Sequence, residues 1–240
     1  MGVVTSSKMG AMSDHDVLVA VAHGTRAPAG PVVLEELLDL VRERLPGVQV
    51  RIAYVDVIGP TLEEVLAELD GRAVVVPMFL ASGYHVRVDV PAAVAATGAA
   101  VTVTPALGPD PAVVAAVASR LRAATDAVPV ADAVVIAAAG SSDQAALGEV
   151  AVAAGRLAAE LGVEVVPAYV TTAAPAVPDA VAGLRAAGHS RIAVASYLLA
   201  PGLFQERLAS VGADVVAPPI GPHPLVADLI ASRYLEAVAP

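Results

Sequence analysis

The feature that most restricts how this chain can fold is that its pattern occurs twice. Residues 132–138 (DAVVIAA) match residues 16–22 (DVLVAVA), and Ala139-Gly140-Ser141 falls where His23-Gly24-Thr25 stood. Residues 163–171 match 48–56 with Tyr169 in register with Tyr54, Pro175 then falls on Pro60, and the run from Ile192 matches the run from Val74. Gly221-Pro222-His223-Pro224 repeats Gly108-Pro109-Asp110-Pro111. The separations stay between 113 and 119 residues, so the 240 residues read as two copies of one unit. The expected division is a flexible tail over residues 1–15, an N-terminal lobe over 16–127 and a C-terminal lobe over 128–240.

Within a copy, short β-branched runs alternate with segments of helical period. The first half predicts strands at Val17–Ala22, 48–57, 73–80 and 101–105, and helices over 31–45, 61–69, about 89–96 and 112–124. Thr61 with Glu64, just after Pro60, has the spacing of a capping box. β-α repeated four times implies an α/β fold: in each lobe a four-stranded parallel sheet flanked by helices. With 53 alanines and 43 valines against seven Phe and Tyr and no Trp, the core is built from aliphatic packing and close backbone approach.

A hydrophobic content of 57% raises the question of a membrane span. Residues 90–109 carry no charge and are nominally long enough to cross a bilayer. They contain Pro91, Gly98, Pro105, Gly108 and Pro109, and Val101 to Val103 alternate with threonine, so they read as a helix, a turn and a strand. The N-terminal segment lacks the apolar stretch of a signal peptide. The expectation is a cytoplasmic protein with no membrane partner. A formal net charge of −10, from 24 acids and 14 dispersed bases, disfavours nucleic acid. The absence of cysteine excludes disulfides, thiolate metal sites and thiol nucleophiles, which leaves His, Asp and Glu as metal ligands. No Gly-x-Gly-x-x-Gly run or Walker loop follows any strand.

In a parallel α/β sheet, ligands bind beyond the carboxyl ends of the strands, where strand order reverses. The residues expected there are His23-Gly24-Thr25-Arg26 after the first strand, Asp56 after the second, and Ala81-Ser82-Gly83-Tyr84-His85-Val86-Arg87-Val88-Asp89 after the third. Each has a plainer reading: a hydrogen-bonded turn histidine, an aspartate capping the next helix, solvated arginines, and glycines needed only for tight turns. The duplication supplies a control. His23 becomes Ala139, Asp56 becomes Thr171, His85 becomes Phe204 and Arg87 becomes Glu206, while the glycines persist as Gly140 and Gly202. Groups needed by the scaffold would survive in both copies, so the joint loss of His23, Asp56 and His85 marks them as a functional set. Two imidazoles and a carboxylate suit Fe, Co, Ni or Zn with coordination positions left open, and neutral imidazole accepts protons near neutral pH.

These residues resemble a family. His23-Gly24-Thr25-Arg26, with the run from Val76 to Pro91 that contains Gly83-Tyr84-His85-Val86-Arg87, is similar to the sirohydrochlorin chelatases of the CbiX/SirB type, in their long two-lobe form. The resemblance spans residues 16–237 and implies a class II chelatase with its active site in the cleft between lobes. It implies insertion of Fe²⁺ or Co²⁺ into sirohydrochlorin with release of two protons, in siroheme or cobalamin biosynthesis. The metal is then a substrate (Fe²⁺, Co²⁺ or Ni²⁺), with no tightly bound cofactor. His23 and His85 would face each other across the cleft and handle the metal, with Asp56 as a third catalytic group where the family often has a glutamate nearby. Arg26 and Arg87, with the backbone N–H groups of Ser82, Gly83 and Tyr84, would receive the substrate's carboxylates, and the second half would form the opposite wall. The chain lacks the His-rich tract and the cysteine-bearing tail of some members. Alternatives are another tetrapyrrole, a nickel chelatase or a non-catalytic metal or tetrapyrrole carrier, as monomer or homodimer. His15, His189 and His223 read as ordinary tail and turn residues.

Overall fold

A computed structural model of the chain describes residues 17–69, 71–125 and 131–239. The expected tail, His15 and the junction at residues 126–130 lie outside the described residues. The first half runs β1 (Val17–Ala22), α1 (Ala29–Arg44), β2 (Gln49–Tyr54), α2 (Leu62–Ala67), β3 (Ala73–Pro77), a π-helical turn (His85–Asp89), α3 (Val90–Thr97), β4 (Val101–Val103) and α4 (Pro111–Thr125). The second runs β5 (Ala133–Ala138), α5 (Gln144–Leu161), β6 (Glu164–Tyr169), α6 (Val177–Ala186), β7 (Ile192–Tyr197), α7 (Leu203–Leu208), β8 (Val215–Val216) and α8 (Pro224–Val238).

Each half forms a four-stranded parallel sheet, in the orders β2-β1-β3-β4 and β6-β5-β7-β8. The registers repeat as well. Val17 stands opposite Gln49 and Ala73, and Ala133 stands opposite Glu164 and Ile192. Ile192 is therefore the counterpart of Ala73, one residue from the match read off the sequence. The capping box forms, with Thr61 Oγ1 accepting the Glu64 N–H at 3.2 Å and Glu64 Oε2 accepting the Thr61 N–H at 2.8 Å.

Strand alternation builds the layers. Leu18, Ala20 and Ala22 face a central core shared with Val134, Ile136 and Ala138 of the other sheet, whereas Val19 and Val21 face α2 and α3. Val135 and Ala137 pack outward against α6. Between the sheets lie α1, α4, α5 and α8, so the order of layers is helices, sheet, four helices, sheet, helices. Two of the central helices are exchanged: α4 packs on β7 and β8, and α8 packs on β3. The two halves of the sequence therefore share one core. The cause is visible in α4, where Val113, Val114, Ala116, Val117, Ala118 and Leu121 are all buried, more than one apolar stripe on one sheet requires. Helices buried on several sides approach closely only if their side chains are small, which accounts for the alanine content. Among the described residues, no helix is long and apolar enough to cross a membrane.

Two further histidines, His189 and His223, are engaged in local contacts. His189 sits between Asp132 and Glu164, and His223 accepts the Leu225 N–H through Nδ1 at 3.3 Å, capping α8 as Asp110 caps α4 through the Ala112 N–H. Burial, aided by the Arg120 guanidinium, lowers the pKa of His223 below 6.5. The folded chain thus keeps this ring neutral where the unfolded chain protonates it. That stabilisation is complete above pH 6.5 and is lost as pH falls toward the lowered folded value. Between about pH 7 and pH 5, the thermal midpoint of the wild type is expected to fall further than that of His223→Asn, whose cap does not titrate. Equal falls would remove His223 from the acid response.

Candidate active site

Strand order reverses between β1 and β3, which places the crevice of the first sheet at their carboxyl ends. His23 leaves β1 there. Gly24 turns the chain at φ +95°, and an added Cβ would overlap the Asp56 carbonyl oxygen. The His23 carbonyl accepts the Asp56 N–H at 3.1 Å, which ties the two loops together. His85 opens the π-helical turn after β3, where its carbonyl accepts the Val90 N–H. The helix expected from about residue 89 therefore begins earlier, in a π-helical turn, a form that recurs at functional sites.

The two imidazoles meet, with ring centroids 4.5 Å apart and planes at 89°. Phe79 stacks on His85 at 6.2 Å, and the Tyr84 ring meets it edge-on at 6.1 Å. His85 Nδ1 lies 2.6 Å from Asp89 Oδ2, and His23 Nδ1 lies 3.1 Å from the Gly24 carbonyl oxygen. Both Nδ1 atoms face acceptors, so each neutral ring carries its proton there and keeps the Nε2 lone pair for an electrophile. His23 is exposed and 32% of the His85 side chain is open, so both rings remain reachable.

The rings face each other, but not across the cleft as the resemblance implies; they stand at the strand ends of one sheet, where the strand-end reading puts them. β1 and β3 are adjacent parallel strands, so both rings stand on the rim of the first lobe. That rim borders the second lobe: a Cβ on Gly202 would lie 3.0 Å from Thr25 Oγ1, and one on Gly83 would lie 3.3 Å from Ser141 Oγ. Asp56 does not join the pair. Its carboxylate accepts its neighbour's Val57 N–H at 2.7 Å, and among the described residues no three His, Asp or Glu side chains gather around a point that holds a metal. It does not cap α2 either, since Thr61 does.

The expected carboxylate receivers divide. Arg26 is exposed and has no partner among the described residues. Arg87 is engaged: its Nε donates to the Ser82 carbonyl at 2.7 Å and lies 3.3 Å from Asp143 Oδ2. Two of the three turn amides are already engaged and are corrected as anion receivers: the Ser82 N–H donates to Glu149 Oε2 at 2.6 Å and the Gly83 N–H to the Ala81 carbonyl at 3.1 Å. Tyr84 presents its side chain instead, 62% exposed beside the imidazoles. An open cavity of about 410 Å³ lies behind the π-helical turn, between the halves, against Ser82, Val86, Asp110, Glu149, Arg156 and Arg233. The sequence reading placed Asp89 in the run after β3 but gave it no role, although its spacing of four from His85 was a usable signal. It also missed Asp143 and Glu149, which no local pattern links to His85.

The model of the CbiX family matches both halves, over residues 17–124 and 133–237. A sirohydrochlorin cobaltochelatase of Methanococcoides burtonii is 32% identical over 84 residues, covering 33% of this chain and 64% of that protein. One of Methanosarcina acetivorans is 35% identical over 78 residues, covering 31% of this chain and 60% of that protein. The chain thus spans less than two thirds of the length of these curated relatives. The structure of SirB from Bacillus subtilis with Fe³⁺ superposes with a TM-score of 0.77 at 22% identity, covering 94% of this chain and 96% of that chain.

Proposed function

The chain belongs to the CbiX family, and from that premise we propose that it is a sirohydrochlorin chelatase, inserting Fe²⁺ or Co²⁺ into the macrocycle with release of two protons. The observation that carries the proposal is the imidazole pair with both Nδ1 atoms tied back. Insertion replaces two pyrrole N–H bonds by metal–nitrogen bonds, so the site must deliver a partly dehydrated ion and accept two protons. Nε2 of His23 and of His85 can each bind the ion, release it when the macrocycle nitrogens compete, and take up a proton once free. Two neutral nitrogen ligands with no third side chain leave coordination positions open and hold the ion loosely enough to pass on.

Substrate placement draws on what remains free. Among the described residues, Arg26 is an unengaged cation on the rim for a carboxylate of sirohydrochlorin, and the exposed Tyr84 ring offers an apolar edge to the macrocycle. Asp89 holds the tautomer of His85, and Asp56 supports the His23 loop through its backbone.

The test is anaerobic turnover. Sirohydrochlorin with Fe²⁺, Co²⁺ or Ni²⁺ is followed by absorbance, and the expected result is insertion above the uncatalysed background with Fe²⁺, Co²⁺ or both. Tight binding of metal and tetrapyrrole without turnover would replace the enzyme by a carrier. Turnover with Ni²⁺ alone, or only with another tetrapyrrole, would redefine the substrate.

A further inference from the structure

The second half has lost the imidazoles, yet it grips the segment that carries His85 at three polar points. The Tyr197 hydroxyl, at the end of β7, donates to the Leu80 carbonyl at 3.0 Å. Glu149 Oε2, on α5, accepts the Ser82 N–H at 2.6 Å. Asp143, the N-cap of α5, places Oδ2 3.3 Å from Arg87 Nε. These contacts span residues 80–87 and come from two elements of the other sheet.

The duplication shows whether such contacts are ordinary for the fold. At an offset of 116, Asp143 and Glu149 correspond to Ala27 and Val33, and at the β3–β7 offset of 119, Tyr197 corresponds to Met78. The groups they hold change too. Ser82 corresponds to Pro201, which has no N–H to offer, and Arg87 corresponds to Glu206. The close packing, by contrast, is kept in both copies, as Gly83 against Ser141 and Gly202 against Thr25. Packing therefore survives on both sides of the internal symmetry, and among the described residues the polar grip exists only where it holds the His85 segment.

We infer that the second half is a clamp, in which Asp143, Glu149 and Tyr197 are positioning residues that fix residues 80–87 and so hold His85 against His23. The inference rests on the reading of His85 as the metal-handling ring. A ring on a loop of eight residues otherwise samples orientations in which Nε2 faces away from its partner, and fixing the loop from outside removes them.

The variants separate clamp from scaffold. Asp143→Ser keeps a capping oxygen for α5 and removes the charge facing Arg87. Glu149→Val installs the first-half residue, and Glu149→Gln restores an acceptor for the Ser82 N–H. Glu160→Gln, on the exposed face of α5 beside Arg122, serves as the control. Three readouts are taken on the full chain: Co²⁺ binding without tetrapyrrole, followed by visible absorbance; hydrogen exchange over residues 80–87; and the kcat–KM split for sirohydrochlorin. The Asp143→Ser/Glu149→Val double variant is expected to bind Co²⁺ about tenfold more weakly, to exchange the Ser82 amide faster, and to lose kcat with KM unchanged. Glu149→Gln, which still offers the Ser82 N–H an acceptor, keeps most of the Co²⁺ affinity that Glu149→Val loses. Wild-type Co²⁺ affinity and Ser82 exchange in the double variant, or a change confined to its thermal midpoint, would overturn the clamp. If the wild type never turns over, the chelatase reading fails, while weaker Co²⁺ binding by the double variant still supports the clamp.

Discussion

Alanine at position 85, or at position 23, is expected to slow metal insertion by about two to four orders of magnitude. The ring centroids are 4.5 Å apart, so under the proposed mechanism removing either leaves one nitrogen for the ion and none beside it for a proton. Neither ring is fully buried, and thermal midpoints measured beside the rates separate lost chemistry from lost folding. Asp89→Asn gives a finer reading. The amide can donate as well as accept, so it no longer dictates that the His85 proton sits on Nδ1, and a loss of about tenfold is expected. Initial rates in the anaerobic absorbance assay, at saturating Co²⁺ and Fe²⁺, measure all three. Wild-type rates in both alanine variants would remove the imidazole pair from the reaction.

Gly24→Ala and Gly140→Ala are expected to destabilise the fold by about 3 kcal/mol each, since both place a methyl group at positive φ and against a carbonyl oxygen. Gly24 stands at φ +95° against Asp56, and Gly140 at φ +105° against Thr171. They are the same turn in two copies, which explains why glycine persists where His23 became Ala139. For a chain of this size the thermal midpoint should drop by roughly 6 to 12 °C in either variant. Gly24→Ala also displaces the loop that carries His23 and should lose metal insertion beyond what its stability predicts. A drop of less than about 2 °C in both variants would show that the turns relax at little cost.

How far the sequence was legible depends on the range of the physics involved. Strand period, the Thr61–Glu64 cap and the repeat itself are set by neighbours in the chain, and all of them appear in the structure. His23 and His85 were found because a parallel sheet delivers the residue after each strand to one edge, and because the second copy had discarded both. Asp56 occupied an equivalent place in sequence, yet its carboxylate turns back onto the Val57 N–H, a rotamer choice that no spacing encodes. Ser82 looked like a free amide donor because nothing nearby in sequence competes for it; its acceptor is Glu149, 67 residues away, whereas the Gly83 N–H is taken by the Ala81 carbonyl in a local turn.

The sequence alone determined the two copies, the parallel sheets and the pair of imidazoles, since each follows from local periodicity or from comparing one half with the other. Only the tertiary structure decided that α4 and α8 change sheets, that Asp56 stays out of the imidazole pair, and that the second lobe grips the first. The exchange and the grip depend on which surfaces meet when four helices are buried between two sheets. That contact joins residues whose separation in the chain carries no periodic trace.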